Sequence, residues 1–171
     1  TKYKFGGVLA DDMGLGKTVL SLAFAEVNNC KKVIVITINA KAEESAGLPD
    51  YWLGWASKSD IEYNLHTKHD DKPYDVSTPD LLIINYEGLF SRSKDRKQKV
   101  QLRQCVIDFI YSCANNNVAI IVDESHKMKN LKSLQTEAIF KIKTYLKMQA
   151  RNVYSYLLTG TPFTTGYIDL Y

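Results

Sequence analysis

The segment Asp11–Thr18, with the sequence DDMGLGKT, constrains the fold of this chain more than any other feature. It follows the apolar run Val8–Ala10, which is typical of a β-strand. A glycine-rich turn between a strand and a helix points several backbone N–H groups inward, and the positive end of the helix also attracts anions. Gly14 and Gly16 permit a close approach of the backbone to a polyanion. The segment therefore predicts a phosphate-binding loop in an α/β domain.

The lysine and threonine that end this segment have predicted roles of their own. Lys17 is expected to reach the β- and γ-phosphates, and the Thr18 hydroxyl is expected to ligate Mg²⁺, so ATP and Mg²⁺ are the predicted cofactors. The strict pattern has glycine at position 11, where this chain has Asp11, and an ordinary glycine-rich turn before a helix is the alternative. The predicted nucleotide-binding residues are consecutive: Met13, Gly14, Leu15, Gly16, Lys17 and Thr18.

A second chemical element lies far along the chain, in the sequence DESH after the apolar, β-branched run Val118–Val122. Such a run is expected of a strand buried on both faces of a parallel sheet, and ligands bind at the carboxyl ends of these strands. We expect Asp123 to hold Mg²⁺ and Glu124 to orient and deprotonate the attacking water. A solvated acidic turn is the alternative when this pair is considered alone. Together with the lysine loop, the pair predicts a nucleotide-hydrolysis site whose catalytic residues are Glu124, Lys17 and Asp123.

These motifs make the chain recognisable. The loop, the DESH box and the sequence LTGTP at Leu158–Pro162 closely resemble motifs I, II and III of superfamily 2 helicases, specifically the Swi/Snf family of ATP-driven DNA translocases. The segment Pro79–Glu87 is similar to the family's motif Ib strand. The resemblance spans almost the whole chain. It implies a three-layer RecA-like P-loop domain, with DNA and a second RecA-like lobe as partners.

The resemblance also implies roles for residues outside the nucleotide loop. His126, Thr159 and Thr161 would couple the nucleotide state to movement on DNA, although His126 can also be read as a histidine that bonds a backbone carbonyl. Lys41, Asn85 and Tyr86 are the predicted nucleic-acid contacts. The family's motif Ia has a proline followed by a tryptophan, whereas this chain lacks the proline. Either Trp52 or Trp55 matches the tryptophan, and the sequence does not choose between them.

The predicted domain organisation is one RecA-like lobe over residues 1–171, without the second lobe and its arginine-bearing segment. On this view the isolated chain binds nucleotide weakly and hydrolyses ATP slowly. The predicted activity of the full-length protein is DNA-dependent ATP hydrolysis coupled to translocation. The alternatives are an RNA or single-strand helicase lobe and a nucleotide-dependent scaffold with negligible turnover.

Composition and periodicity agree with one α/β domain. Hydrophobic residues make up 45% and charged residues 24% of the chain, and apolar runs alternate with segments of helical spacing. This alternation predicts a mainly parallel sheet with helices on both faces. The predicted strands are residues 7–10, 33–37, 81–85, 118–122 and 154–159, with a further short strand at 61–65. The predicted helices are residues 17–28, 100–113 and 133–146.

Charge, hydropathy and cysteine content indicate the setting in which the chain works. The net charge of +3 permits nucleic-acid binding without requiring it, and no apolar run is long enough to predict a membrane span. The three cysteines have no metal-binding spacing, so the predicted location is intracellular, in cytoplasm or nucleus. The densest basic run, Arg92–Lys99, is either a solvated loop or a contact with a phosphate backbone.

Overall fold

A computed structural model of the chain describes residues 6–12, 14–38, 52, 63–66, 81–92 and 100–160. The strands are β1 (Gly6–Leu9), β2 (Lys32–Thr37), β3 (Tyr63–His66), β4 (Leu81–Asn85), β5 (Phe90–Arg92), β6 (Val100–Leu102), β7 (Asn117–Val122) and β8 (Asn152–Leu158). The helices in these ranges are α1 (Lys17–Val27), α2 (Gln104–Ser112) and α3 (Leu134–Gln149). Two 3₁₀ turns span Tyr86–Leu89 and Ser125–Lys129.

Six of the strands form one sheet in the order β1-β8-β7-β2-β4-β3, and every pairing in it is parallel. The register places Leu9 beside Leu158 on one flank of β8 and Val122 beside Leu157 on the other. Because all six strands run in the same direction, the segments that follow β1, β2, β4, β7 and β8 meet at a single edge of the sheet. This carboxyl edge is where ligands bind in open α/β sheets.

Apolar residues on alternate strand positions fill two cores, one on each face of the sheet. Ile34 and Ile120 face the core that contains residues of α2 and α3. Val35 and Ile121 face the opposite core, which contains Ala25 of α1 together with Trp52. The central strands are therefore buried on both faces, which explains why they read as continuous apolar runs. The three-layer α/β architecture predicted from the sequence is confirmed.

One predicted helix is wrong at its start. The expected helix over residues 100–113 begins only at Gln104, and Val100–Leu102 forms β6, which pairs antiparallel with Phe90–Arg92. Val100 and Leu102 are buried while Gln101 is exposed, which is the alternation of a strand. The apolar residues of this short strand continue the helical spacing of α2, so the sequence pattern did not separate the strand from the helix that follows it. Residues 63–65 of the predicted strand at 61–65 lie in β3, which ends at His66, and residues 61 and 62 lie outside the described residues.

The remaining helices agree closely with their predicted positions. In α3, the Ser133 side chain caps the helix by accepting a hydrogen bond from the Thr136 backbone N–H, and the helix continues to Gln149, three residues past the predicted end. No helix in the described ranges combines the length and apolar character needed to cross a bilayer.

Candidate nucleotide-binding site

The glycine-rich loop connects β1 to α1 at the carboxyl edge of the sheet. Gly14 has φ +85° and Gly16 has φ +76°, backbone conformations that L side chains rarely adopt. Gly16 is the residue that precedes α1, and it has no side chain with which to cap the first turn. The first N–H groups of the helix are thus available to an anion. Met13, also predicted to bind the nucleotide, lies outside the described residues.

Lys17 is folded back onto the loop that it follows. Its ammonium donates hydrogen bonds to the backbone carbonyls of Asp11 and Asp12, both at 2.7 Å. These contacts hold the cation over the loop, and phosphate oxygens can compete with the two backbone carbonyls for it. The geometry is compatible with the predicted role of Lys17 as a phosphate ligand.

Asp123 follows β7 and is held in one orientation by three donors. Its Oδ2 accepts hydrogen bonds from the Thr37 hydroxyl and from the indole N–H of Trp52, both at 3.0 Å. Its Oδ1 accepts the backbone N–H of Glu124 at 2.9 Å. Only 6% of Asp123 is exposed, so these bonds form where little water competes with them. The carboxylate is therefore preorganised before any ligand binds.

Tyr86 supports the backbone of the same acidic turn. The tyrosine is fully buried, and its hydroxyl donates a hydrogen bond of 2.6 Å to the Asp123 carbonyl and one of 3.4 Å to the Glu124 carbonyl. Burial, and then the nearby charges of Asp123, Glu124 and Glu87, hold the pKa of Tyr86 far above its usual range. The phenol therefore stays protonated and remains a donor.

The structure does not support Asn85 and Tyr86 as side-chain contacts to nucleic acid. Asn85 is 1% exposed, and its side chain accepts a hydrogen bond from the Gly88 backbone N–H at the start of the 3₁₀ turn. Tyr86 is directed under the acidic turn, as described above. Asn85 ends β4, which lies inside the sheet, and Tyr86 follows it directly, which explains why both side chains are enclosed. Lys41, the third predicted contact, lies outside the described residues.

Glu124 adopts a left-handed backbone conformation, with φ 51° and ψ 46°. For a residue with a side chain this conformation costs roughly 1–2 kcal/mol, so the surrounding contacts must maintain it. Its Oε2 lies 3.4 Å from Nδ1 of His126, and the same nitrogen lies 3.5 Å from the Thr159 hydroxyl. Nδ1 of His126 therefore lies between the Glu124 carboxylate and the Thr159 hydroxyl.

Thr159 closes the site on the side of β1. Its backbone N–H donates a 3.0 Å hydrogen bond to the Leu9 carbonyl, at the point where β1 leads into the glycine-rich loop. The chain of contacts therefore runs from Glu124 through His126 and Thr159 to the start of the loop. Thr161, the other predicted coupling residue, lies outside the described residues.

The residues present fit a magnesium nucleotide. Thr18 supplies a hydroxyl in the first turn of α1, and Asp123 supplies a preorganised carboxylate at the same edge of the sheet. Hard oxygen ligands of this kind are those that Mg²⁺ prefers. Since β8 alone separates β1 from β7, the loop and the acidic turn lie roughly 10 Å apart, about two strand spacings.

The sequence did not reveal that Thr37 and Trp52 contact Asp123. Thr37 was visible only as a polar residue at the end of an apolar strand, and Trp52 only as one of two candidates for a family tryptophan. The described structure places Trp52 at the acidic turn, whereas Trp55 lies outside the described residues.

The architecture and the arrangement of motifs agree with comparisons to known proteins. The SNF2-related domain matches residues 1–171. The chain belongs to this family. It is 30% identical over 183 residues to the mouse (Mus musculus) SWI/SNF-related matrix-associated actin-dependent regulator of chromatin subfamily A containing DEAD/H box 1, covering 99% of this chain and 15% of that protein.

Two further relatives come from distant organisms. An uncharacterized ATP-dependent helicase of Mycoplasma pneumoniae is 30% identical over 179 residues, which are 98% of this chain and 14% of the helicase. The DNA repair and recombination protein RAD54B of Gallus gallus is 28% identical over 180 residues, which are 98% of this chain and 17% of that protein. The chain thus spans less than a fifth of the length of each of these relatives.

Proposed function

We propose that this chain is the ATP-binding lobe of an ATP-dependent DNA translocase of the Swi/Snf type. One observation carries the proposal: the glycine-rich loop after β1 and the acidic turn after β7 lie at the same edge of a parallel sheet, with β8 between them. The acidic turn contains strained backbone at Glu124, while the loop reaches its left-handed conformation without strain because Gly14 and Gly16 occupy those positions. Strain of this kind concentrates at functional sites.

Each residue of the site has a defined task in this proposal. The loop N–H groups and Lys17 bind the phosphates, and Thr18 and Asp123 hold Mg²⁺, which when bound neutralises charge on the phosphate oxygens. Glu124 accepts a hydrogen bond from the attacking water and takes its proton. His126, which contacts the Glu124 carboxylate, limits the rotation of that side chain.

The contact between His126 and Thr159 provides a route from the nucleotide to the rest of the protein. The two residues follow neighbouring strands, β7 and β8, so a shift of the acidic turn alters a contact at the end of the next strand. In the proposed enzyme this edge faces a second RecA-like lobe, and movement of that lobe carries the DNA. The names of two relatives, a regulator of chromatin and a DNA repair protein, favour DNA as the partner.

The proposal is tested by measuring steady-state ATP hydrolysis by the full-length protein with duplex DNA, single-stranded DNA, RNA or no nucleic acid. We expect turnover to rise most with duplex DNA. Stronger stimulation by RNA or single strands would replace the assignment with the helicase alternative. Turnover that stays negligible with every nucleic acid, while ATP still binds, would favour a nucleotide-dependent scaffold.

The basic run Arg92–Lys99 is proposed as a contact with the DNA backbone. Phosphate contacts release counterions, so affinity falls steeply with salt and does not depend on base sequence. Replacing Arg92, Lys94, Arg96 and Lys97 with glutamine should flatten the dependence of DNA affinity on salt. The control replaces two cations, Lys147 and Arg151, which lie near the opposite edge of the sheet, so the change in slope is compared per charge removed. If the salt dependence of DNA affinity is unchanged in the four-residue variant, the basic run is a solvated loop and does not contact DNA.

A further inference from the structure

We propose that Trp52 is a positioning residue for the metal-binding carboxylate: its indole N–H fixes the orientation of Asp123 and thereby sets the affinity for Mg²⁺ in the nucleotide complex. The inference rests on the proposed function, because it assigns Trp52 a part in the same site. Trp52 touches Asp123 rather than the phosphate loop, so its contribution is expected to depend on the metal.

The surroundings of Trp52 give the indole a single position. The side chain is 1% exposed and belongs to the apolar core that contains Val35, Ile83 and Ile121. An indole has one polar atom, the Nε1–H, which only donates. In this core it meets Oδ2 of Asp123 at 3.0 Å. The packing therefore aims one rigid donor at one carboxylate oxygen.

The donors to the Asp123 carboxylate differ in how rigidly they are held. Oδ2 accepts from both Trp52 and Thr37, while Oδ1 accepts from the Glu124 backbone N–H. A hydroxyl rotates to suit its partner, whereas the indole is locked by its ring. Without Trp52, the Thr37 hydroxyl can follow the carboxylate as it rotates. The indole at Oδ2 and the Glu124 backbone N–H at Oδ1 are thus the two fixed donors that together set the angle of the carboxyl plane.

The first experiment separates a positioning role from a purely structural one. The affinity of the 171-residue chain for ADP is measured by calorimetry with Mg²⁺ and again with EDTA. Outer partners of metal ligands typically contribute 10–100-fold to metal affinity. Because Thr37 and the Glu124 N–H remain, we expect Trp52→Phe to reduce the gain in ADP affinity due to Mg²⁺ by about 10-fold. ADP affinity in EDTA should stay as in the parent.

The second experiment leaves Trp52 in place, so it does not depend on how well the variant folds. The chain has two tryptophans, and ¹⁵N labelling gives one indole N–H signal for each. Trp55→Phe assigns the Trp52 signal and serves as the matched control in calorimetry. Asp123→Asn should shift the Trp52 signal. Mn²⁺ with ADP should broaden it, because a paramagnetic ion held by Asp123 lies close to the indole.

The outcomes distinguish this inference from the proposed function. Loss of the Mg²⁺-dependent gain together with broadening by Mn²⁺ supports the role of Trp52. If Mg²⁺ still strengthens ADP binding equally in Trp52→Phe, or if both affinities fall in parallel, the positioning role is overturned while the nucleotide site stands. If the Trp55→Phe control binds ADP neither with nor without Mg²⁺, both the inference and the proposed function fail.

Discussion

Replacing Tyr86 with phenylalanine removes one hydroxyl from beneath the acidic turn and leaves the ring in place. The lost bond is a buried O–H···O contact of 2.6 Å to the Asp123 carbonyl. Removing one partner of a buried hydrogen bond costs about 1–3 kcal/mol, and a value of about 1.5 kcal/mol is reasonable for this short bond between neutral groups. For a domain of this size the expected fall in melting temperature is about 3–6 °C.

The same change should also affect catalysis through Glu124. The left-handed backbone of that residue costs roughly 1–2 kcal/mol, and the Tyr86 hydroxyl is one of the contacts that maintain it. Relaxation of the turn would move the carboxylate away from the attacking water. We expect kcat to fall by about 10-fold, equivalent to roughly 1.4 kcal/mol, while ATP affinity changes little because the phosphate loop is untouched.

The assay compares Tyr86→Phe with Tyr111→Phe, using thermal unfolding of the 171-residue chain and ATP binding and steady-state hydrolysis of the full-length protein. Tyr111 is 65% exposed on α2, so loss of its hydroxyl should be neutral. If the two variants melt at the same temperature and turn over ATP equally, Tyr86 does not support the acidic turn. A parallel loss of ATP affinity and kcat would also refute the reasoning, because it would indicate general damage to the site.

Three further predictions concern the nucleotide site, the edge strand β1 and a half-buried thiol. Lys17→Ala should weaken ATP binding as well as turnover, whereas Glu124→Gln should lower turnover and preserve binding. If both variants bind and hydrolyse ATP like the parent, the assignment of the site is wrong. Gly6→Ala should destabilise the fold by about 2 kcal/mol or more, because φ is +103° and an added Cβ would clash with the Ser155 carbonyl oxygen of β8. Gly7→Ala, which has open space around its Cβ, is the control in denaturant unfolding. Burial raises the pKa of Cys30 to about 11, so the thiol keeps its proton more firmly in the folded chain. Its contribution to stability should be complete below about pH 8.5 and decline as the pH rises toward 11; thermal unfolding across this range should show a smaller decline for Cys30→Ala, and an identical decline would contradict the assignment.

The sequence alone determined the fold class, the family and the positions of the central strands. Each of these features depends on residues that are contiguous in the sequence. An apolar run such as Val118–Val122 is buried on both faces whichever strands flank it, and a glycine-rich loop has its conformation because of its own glycines. Local patterns of this kind can be recognised without knowledge of the tertiary contacts. The sequence was therefore sufficient to predict the nucleotide loop and the acidic box, and their catalytic roles stay predictions.

Only the tertiary structure decided which residues surround the acidic turn. Asp123 is contacted by Thr37, Trp52 and Tyr86, which precede it by 86, 71 and 37 positions. No local pattern relates residues at such separations, and the sequence assigned Tyr86 to nucleic acid because its position in a motif does not reveal which way the side chain points. The parallel sheet brings the ends of β2, β4 and β7 side by side, so Thr37 and Tyr86, which look isolated in the sequence, become donors to one residue, Asp123. Which residues meet at Asp123 depends on the order of the strands in the sheet. Long-range packing determines that order, and no single segment of the sequence specifies it.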